Sequence, residues 1–446
     1  MTRPPVNPAP AVTWRTHISL VLLSLVYIFS YIDRQVIAVV IEPIEREFGL
    51  SDAAMGVLSG LAFGVMYAGL GIPVGRFADK HTRRKVVAVC ATLWSFATMA
   101  CGVAMNFWQL LLARMSVAVG EAGGMAPSIA LISDMYPKKN RAMAISVFMV
   151  GPQLGLLIGL ALGGWIAQHY GWRHTFIWMG APGLVLGLLV WLLVREPQRG
   201  RYDDIATPAA TAAPAESLLT QLIRLLRIVA LRRVAIAISL AGIAAYAYGV
   251  WVPTFLIRTH GLSLAQAGMW FGLVSGIGAT VGTVTGGALC DRLARRDRRW
   301  QIGMPMLGML VSVPAAVAFL LWPTGGHVVV GGVQIPQVML FAAVFGFFAS
   351  WWPPLLFNAV SNMVGAGERS VAAALLNFFL TLFGAGLGPL LAGVISDLLT
   401  PSLGEQALRW SLLGIMGLFV VGALFLVAAI KPYRAHLAAM RDISAA

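Results

Sequence analysis

The chain has 446 residues, 59% of them hydrophobic and only 11% charged, with a mean hydropathy of +0.80. Soluble domains carry about 25% charged residues, so a protein wetted on all sides is excluded. The net charge of +14 would suit a nucleic-acid binder, but the charges sit in the wrong places for one.

A spanning helix needs roughly 20 apolar residues. Twelve such runs follow in order: 16–40, 53–75, 85–104, 107–134, 142–166, 174–194, 233–257, 264–290, 302–322, 336–362, 370–395 and 408–430. They are too long, and alternate too little, for barrel strands. The prediction is an all-α integral membrane protein of about 12 transmembrane helices in two pseudo-symmetric six-helix bundles. Its parts are a flexible cytoplasmic N-terminus (1–15), a first bundle (16–194), a cytoplasmic linker (195–232), a second bundle (233–430) and a cytoplasmic tail (431–446). Pro4, Pro5, Pro8 and Pro10 precede a full-length span with no A-x-A site behind it. That span is expected to stay in the membrane and not to be cleaved as a signal.

Arg34 and Arg114 lie inside spans, and Arg46, Arg173, Arg258 and Arg409 lie in odd-numbered connections. The remaining basic residues fall in the even-numbered connections and the termini. Basic residues gather on the cytoplasmic side, so both termini are expected there, in a bacterial inner membrane. The charge is a topology signal toward the lipid bilayer, and no nucleic-acid partner is implied. Cys90, Cys101 and Cys290 lack metal-ligand spacing, and neither a disulfide nor a metal site is expected.

The first span carries Asp33 and Arg34, the fourth Arg114 and Glu121. A charge at bilayer depth is costly and normally faces a partner or a cavity. Asp33, Arg34 and Arg114 share a depth of roughly 10 Å at ~1.5 Å per residue, and Glu121 lies two turns deeper on the face of Arg114. Two cations balance two anions, which permits a neutral buried network. It is either a stabilising salt bridge or a proton-coupled site in which Glu121 and Asp33 exchange protons. Arg34 and Arg114 would then hold a phosphate or carboxylate headgroup.

The second span ends in Gly75-x-x-x-Asp79-x-x-x-Arg83-Arg84, and the eighth in Gly287-x-x-x-Asp291-x-x-x-Arg295-Arg296. The same cassette about half a chain apart marks two related halves, the layout of a secondary transporter. The glycine is expected to let helices approach closely and the arginines to pair with the aspartate. Glycines at every fourth residue from Gly151 to Gly163 give the fifth span a smooth packing face. Residues 218–229 repeat leucine and isoleucine at helical spacing beside Arg224 and Arg227. They form either an amphipathic surface helix or an extension of the seventh span. The Gly- and Val-rich loop 323–335 suits a small hairpin.

The second half has no comparable buried charge. It offers Tyr246, Tyr248 and Trp251 in the seventh span, Trp351, Trp352, Phe357 and Asn358 in the tenth, and Asn377 and Phe378 in the eleventh. Among these, Tyr246, Trp251, Trp352, Phe357, Asn358 and Asn377 are expected to line an apolar cavity wall. The remaining aromatics fit packing or interface roles.

The cassettes resemble the loop between the second and third helices of the major facilitator superfamily and its weaker echo between the eighth and ninth. Thr82 and Ala294 stand where that family commonly has a glycine before the basic pair. The resemblance implies that the cassettes form a cytoplasmic gate in which Asp79 helps latch the bundles. Tyr31-Ile-Asp33-Arg34, Leu50-Ser-Asp-Ala-Ala-Met-Gly56 and Arg114…Gly120-Glu121-Ala122 narrow the likeness to the spinster-like branch over residues 25–180. That branch includes lysolipid transporters and implies that Asp33, Arg34, Arg114 and Glu121 form the polar core. The expected function is proton-coupled transport of a small organic anion or amphiphile by alternating access. The expected protein is a monomer with no cofactor and a proton gradient as energy source. A non-transporting sensor on the same fold stays open. A membrane-embedded enzyme fits less well, because the 7 histidines are scattered, mostly in loops.

Overall fold

The computed structural model describes residues 13–199, 202, 218–330, 333–365 and 368–445. Most of the expected N-terminal stretch 1–15, and residues 200–201 and 203–217 of the linker 195–232, lie outside them. Among the described residues, 11 helical runs are long and apolar enough to cross a membrane. The last, Arg369–Met440, has 72 residues and turns back at Gly404–Gln406. A crossing takes about 20 residues, so this run supplies two, and twelve spans result.

Each half repeats one neighbour scheme. The first span packs on the sixth and the third on the fourth and sixth; the seventh packs on the twelfth and the ninth on the tenth and twelfth. The halves meet where the fifth span crosses the eighth and where the second crosses the eleventh. With lipid outside, close packing rather than water exclusion must hold these helices together. A Cβ added at Gly64 would lie 2.6 Å from the Gly386 Cα, and one at Gly164 would lie 2.5 Å from the Leu264 carbonyl oxygen. Only glycine admits such backbone contact.

Several spans are interrupted. The first helix runs unbroken from Trp14 to Phe48, past its expected end near 40, and so sets Asp33 and Arg34 deeper than expected. The fourth is split into Phe107–Glu121 and Met125–Met135 by a turn through Ala122–Gly124. The tenth is split into Val338–Ala349 and Trp352–Ser361, with prolines opening the second piece. Wider π-helical turns occupy Val57–Leu61 in the second span and Leu380–Leu387 in the eleventh. These two turns touch each other at the bundle interface, and such turns cluster at functional sites.

Leu218–Arg227 is a helix of its own, set off from the seventh span (Val229–His260) by extended Ile228. This supports the amphipathic reading over the extension. Its Arg224 pairs with Glu368 at 2.6 Å. His327–Val330 and Val333–Pro336 form the expected antiparallel hairpin. The tail continues the twelfth helix, which runs Ala407–Ala445.

Candidate transport site

Arg34 donates from Nε to the Glu121 carboxylate, and Ser30 Oγ donates to the same Glu121 oxygen at 3.2 Å. Glu121 is the last residue of its helical piece, so the turn behind it carries its carboxyl toward the first span. Its side chain is buried, whereas that of Arg34 is 19% exposed. The Arg34 guanidinium also faces three rings, at 4.8 Å from Tyr31, 4.9 Å from Phe63 and 4.6 Å from Tyr67. Such cation–π contacts hold a guanidinium in an apolar place without neutralising it. The cation thus has one anionic partner and an aromatic cage.

Arg34 opens onto a cavity of about 420 Å³ between the bundles. From the first half it is lined by Tyr31, Arg34, Gln35, Ser59, Phe63 and Arg114. The opposite wall comes from Tyr246, Tyr248, Phe271, Phe345 and Trp352. One wall is therefore cationic and the other aromatic. Arg114 is fixed by donating to the Asp33 carbonyl at 3.2 Å and lies 5.9 Å from the Phe63 ring.

The expected four-charge network is divided. Asp33 faces away from the cavity and accepts from Thr98 at 3.0 Å. Neighbouring residues on a helix point about 100° apart at 3.6 residues per turn, so Arg34 and Asp33 cannot share one face. Asp33 meets Arg114 through its backbone, not its carboxylate.

Four expected wall residues do not line the cavity. Trp251 is fully buried and donates to the Pro389 carbonyl at 2.9 Å, fastening the seventh span to the eleventh. Phe357 packs beside the core, and Asn358 and Asn377 are exposed. Phe357 and Asn358 lie beyond Trp352 on the tenth span, and Asn377 lies before Leu380 on the eleventh. All three sit closer to the cassettes than the cavity does. Tyr246 and Trp352 stand where expected, and the rings the sequence reading missed are Tyr31, Phe63 and Tyr67. Their signal was present: Phe63 and Tyr67 are four apart, one turn on the same helix face.

The cassettes stand apart. A Cβ at Gly75 or Gly287 would meet nothing within 4 Å, so neither glycine makes the expected close approach. Arg83 pairs with Asp134 at 2.6 Å, and Arg84 donates to the Val194 carbonyl at 2.9 Å. Both partners belong to the first bundle; the expected pairing with Asp79 falls on a side chain that lies outside the described residues. The Arg83 and Arg84 amides donate to Glu196 at 3.0 and 2.8 Å, an acid at a helix N-terminus. Asp291, Arg295 and Arg296 are exposed.

The far end is fastened instead. Arg258, closing the seventh span, donates to Glu42 at 2.7 Å, to Asp52 at 2.9 Å and to Glu45. Asp397 of the eleventh span accepts from the Asp52 and Ala53 amides at 3.0 and 2.8 Å, and Ser396 donates to Asp52 at 2.5 Å. Among the described residues the bundles are thus locked at this end and splayed at the cassette end, where Asp291, Arg295 and Arg296 are exposed. In sequence Arg258 stands only as a charge in an odd-numbered connection. The signal was the run of acids at 42, 45, 47 and 52 facing the few basic residues of that side.

Two six-helix bundles locked at one end around an amphiphilic cavity are the architecture of a membrane transporter. The chain belongs to the Major Facilitator Superfamily, whose family model matches residues 23–382. It is 34% identical over 423 residues to an MFS-type efflux pump of Mycolicibacterium smegmatis, covering 95% of this chain and 93% of that protein. It is 26% identical over 409 residues to a sphingosine-1-phosphate transporter of Mus musculus, covering 88% and 72%. In structure it is similar to a bacterial homolog of the human lysosomal transporter Spinster in its inward-facing, unoccupied conformation. The TM-score there is 0.83 at 26% identity, with 96% of this chain and 99% of that chain covered. These relatives are transporters, not enzymes, and within the family the likeness is to the spinster branch.

Proposed function

We propose that the protein couples proton movement to the transport of an organic anion or anionic amphiphile across the inner membrane, with both termini in the cytoplasm. The observation that carries this reading is the buried Arg34–Glu121 pair at the edge of the inter-bundle cavity. While Glu121 is ionised it neutralises Arg34. Protonation of Glu121 releases Arg34, which with Arg114 presents two guanidiniums to a phosphate or carboxylate. The aromatic wall of Tyr246, Tyr248 and Trp352 takes the apolar body. Anion and proton therefore occupy the site together, because Arg34 is free for the anion only while Glu121 holds the proton. Asp33 acts behind the site by holding Arg114.

The sphingosine-1-phosphate transporter among its relatives supports an anionic head on an apolar body. The positive-inside distribution makes the splayed end cytoplasmic, so this is the inward-facing state. Closure of the cassettes Gly75–Arg84 and Gly287–Arg296 would give the outward-facing one. The energy source is the proton gradient, and the working unit is the monomer.

The test uses proteoliposomes holding the full chain, with sphingosine-1-phosphate, lysophosphatidic acid and benzoate as probes. Glu121→Gln is expected to cut gradient-driven flux at least tenfold while leaving probe-for-probe exchange in place. Gradient-driven flux at the wild-type rate in that variant would remove Glu121 from the coupling role.

A further inference from the structure

Beside Glu121, on the side away from the main cavity, lies a second, much smaller void of about 10 Å³. That is room for about one water molecule. Two residues that line this void each carry a buried polar atom with no hydrogen-bond partner in the protein, Glu121 Oε1 and Trp94 Nε1. Glu121 is 2% exposed and Trp94 0%. One is an acceptor and the other a donor, and a buried polar atom left unpaired is costly. Ser128 Oγ, whose proton goes to the Gly124 carbonyl at 2.7 Å, offers a further acceptor at the wall.

The void also has a direction. The first span runs inward to outward, so Val26 and Tyr27 lie on the cassette side of Arg34. The fourth runs outward to inward, so Gly124, Met125 and Ser128 lie on the cassette side of Glu121. All five line the void. At its mouth the Tyr27 hydroxyl donates to Met125 Sδ at 3.6 Å, and Met125 is 37% exposed. Glu121 thus gives Oε2 to Arg34 and leaves Oε1 without a partner in the protein.

We propose that this void is a water site and that the water, positioned by the Trp94 indole N–H, relays protons between Glu121 and the cytoplasmic side. The inference rests on Glu121 being the proton carrier. In the relay the water gives one proton to Glu121 Oε1 and takes one from the aqueous side past Tyr27 and Met125. The water is regenerated, the carboxylate becomes a carboxylic acid, and Arg34 keeps its charge. The titratable and charged groups around this carboxyl are Arg34, Asp33, Tyr27 and Tyr31 on the first span, Tyr67 on the second and Arg114 on its own span. Arg34 sits on the opposite oxygen and cannot deliver the proton. Trp94 is a positioning residue.

Infrared spectra of the purified full chain, recorded across pH, test the assignment without a substrate. Glu121→Gln identifies the Glu121 carboxylic-acid band by its loss. Trp94→Phe removes the N–H and keeps most of the packing. Gly124→Ala fills the void instead: its Cβ would stand 3.4 Å from the Trp94 ring, and its φ of −84° suits alanine. Either change removes a hydrogen bond from the ionised carboxyl. Each is expected to move the band midpoint up by at least one pH unit, a tenfold gain in proton affinity, and to raise the carbonyl frequency. If Trp94→Phe does not fold, Gly124→Ala carries the test. Midpoint and frequency unchanged in the folded variants would overturn the water site alone. A spectrum unchanged by Glu121→Gln would overturn the proton carrier and the relay together.

Discussion

Replacing Arg258 by Gln should unlock the far end. The guanidinium is 23% exposed, and its partners Glu42, Glu45 and Asp52 are 12%, 8% and 8% exposed. Removing one partner of a buried, hydrogen-bonded charge pair costs 2–5 kcal/mol or more. Here the loss also leaves three carboxylates facing one another. Part of that is offset, because Glu42 keeps Arg46 at 3.0 Å and Asp52 keeps Ser396 at 2.5 Å. A net cost of about 3 kcal/mol is more than a hundredfold in the closed-to-open ratio, at about 1.4 kcal/mol per factor of ten. Spin labels at His169 and Ala265 would report it, since Gln168 accepts from the Ala265 amide at 3.0 Å across the closed interface. With the native cysteines replaced by alanine, double electron–electron resonance on Arg258→Gln should show a longer-distance population absent from the parent. Arg258→Lys should restore most of the short distance. A single short distance in Arg258→Gln would refute the claim that these charges hold the end shut.

Gly64→Val places a side chain where a Cβ already lies 2.6 Å from the Gly386 Cα. Overpacking costs typically 1–3 kcal/mol, so the same labels should separate; an unchanged distance together with an unchanged melting temperature would contradict the contact. Trp251→Phe leaves the buried Pro389 carbonyl without its donor, at about 1–3 kcal/mol, and should lower the melting temperature while probe binding holds. Lost binding at unchanged stability would return Trp251 to the cavity wall.

The crossings were legible because lipid demands long apolar runs with internally satisfied backbones, and the paired cassettes exposed the duplication. Arg34 and Glu121 were legible as charges too costly to bury without a use. Their pairing was not, because it depends on how each helix is rotated about its axis. Adjacent Asp33 and Arg34 look equivalent in sequence, yet one meets the cavity and the other meets Thr98. The same rotation separates Tyr248, on the cavity wall, from Trp251, three residues on and buried against Pro389. The turn that aims Glu121 lay in Ala122-Gly123-Gly124, which hydropathy reads as one continuous span. The far-end lock was hidden for another reason. Its acids and Arg258 are separated by some 200 residues, and only the meeting of the two halves joins them.

One helix carries both ends of the proposed cycle. Ser30 and Arg34 hold Glu121 at the cavity, and Glu42 and Glu45 hold Arg258 at the far end, all from the unbroken segment Trp14–Phe48. Arg34 and Glu42 are two turns apart, about 12 Å along the axis at 1.5 Å per residue. A packed helix moves as a body, so any rotation that follows release of Arg34 must also move Glu42 and Glu45 against Arg258. Coupling through a shared rigid element needs contacts at both sites that change between states, and in this state the helix makes contacts at both. Arg258→Gln should therefore also shift the Glu121 infrared midpoint if the helix transmits the change. A midpoint indifferent to the state of the far end would leave the two sites energetically separate, despite their common helix.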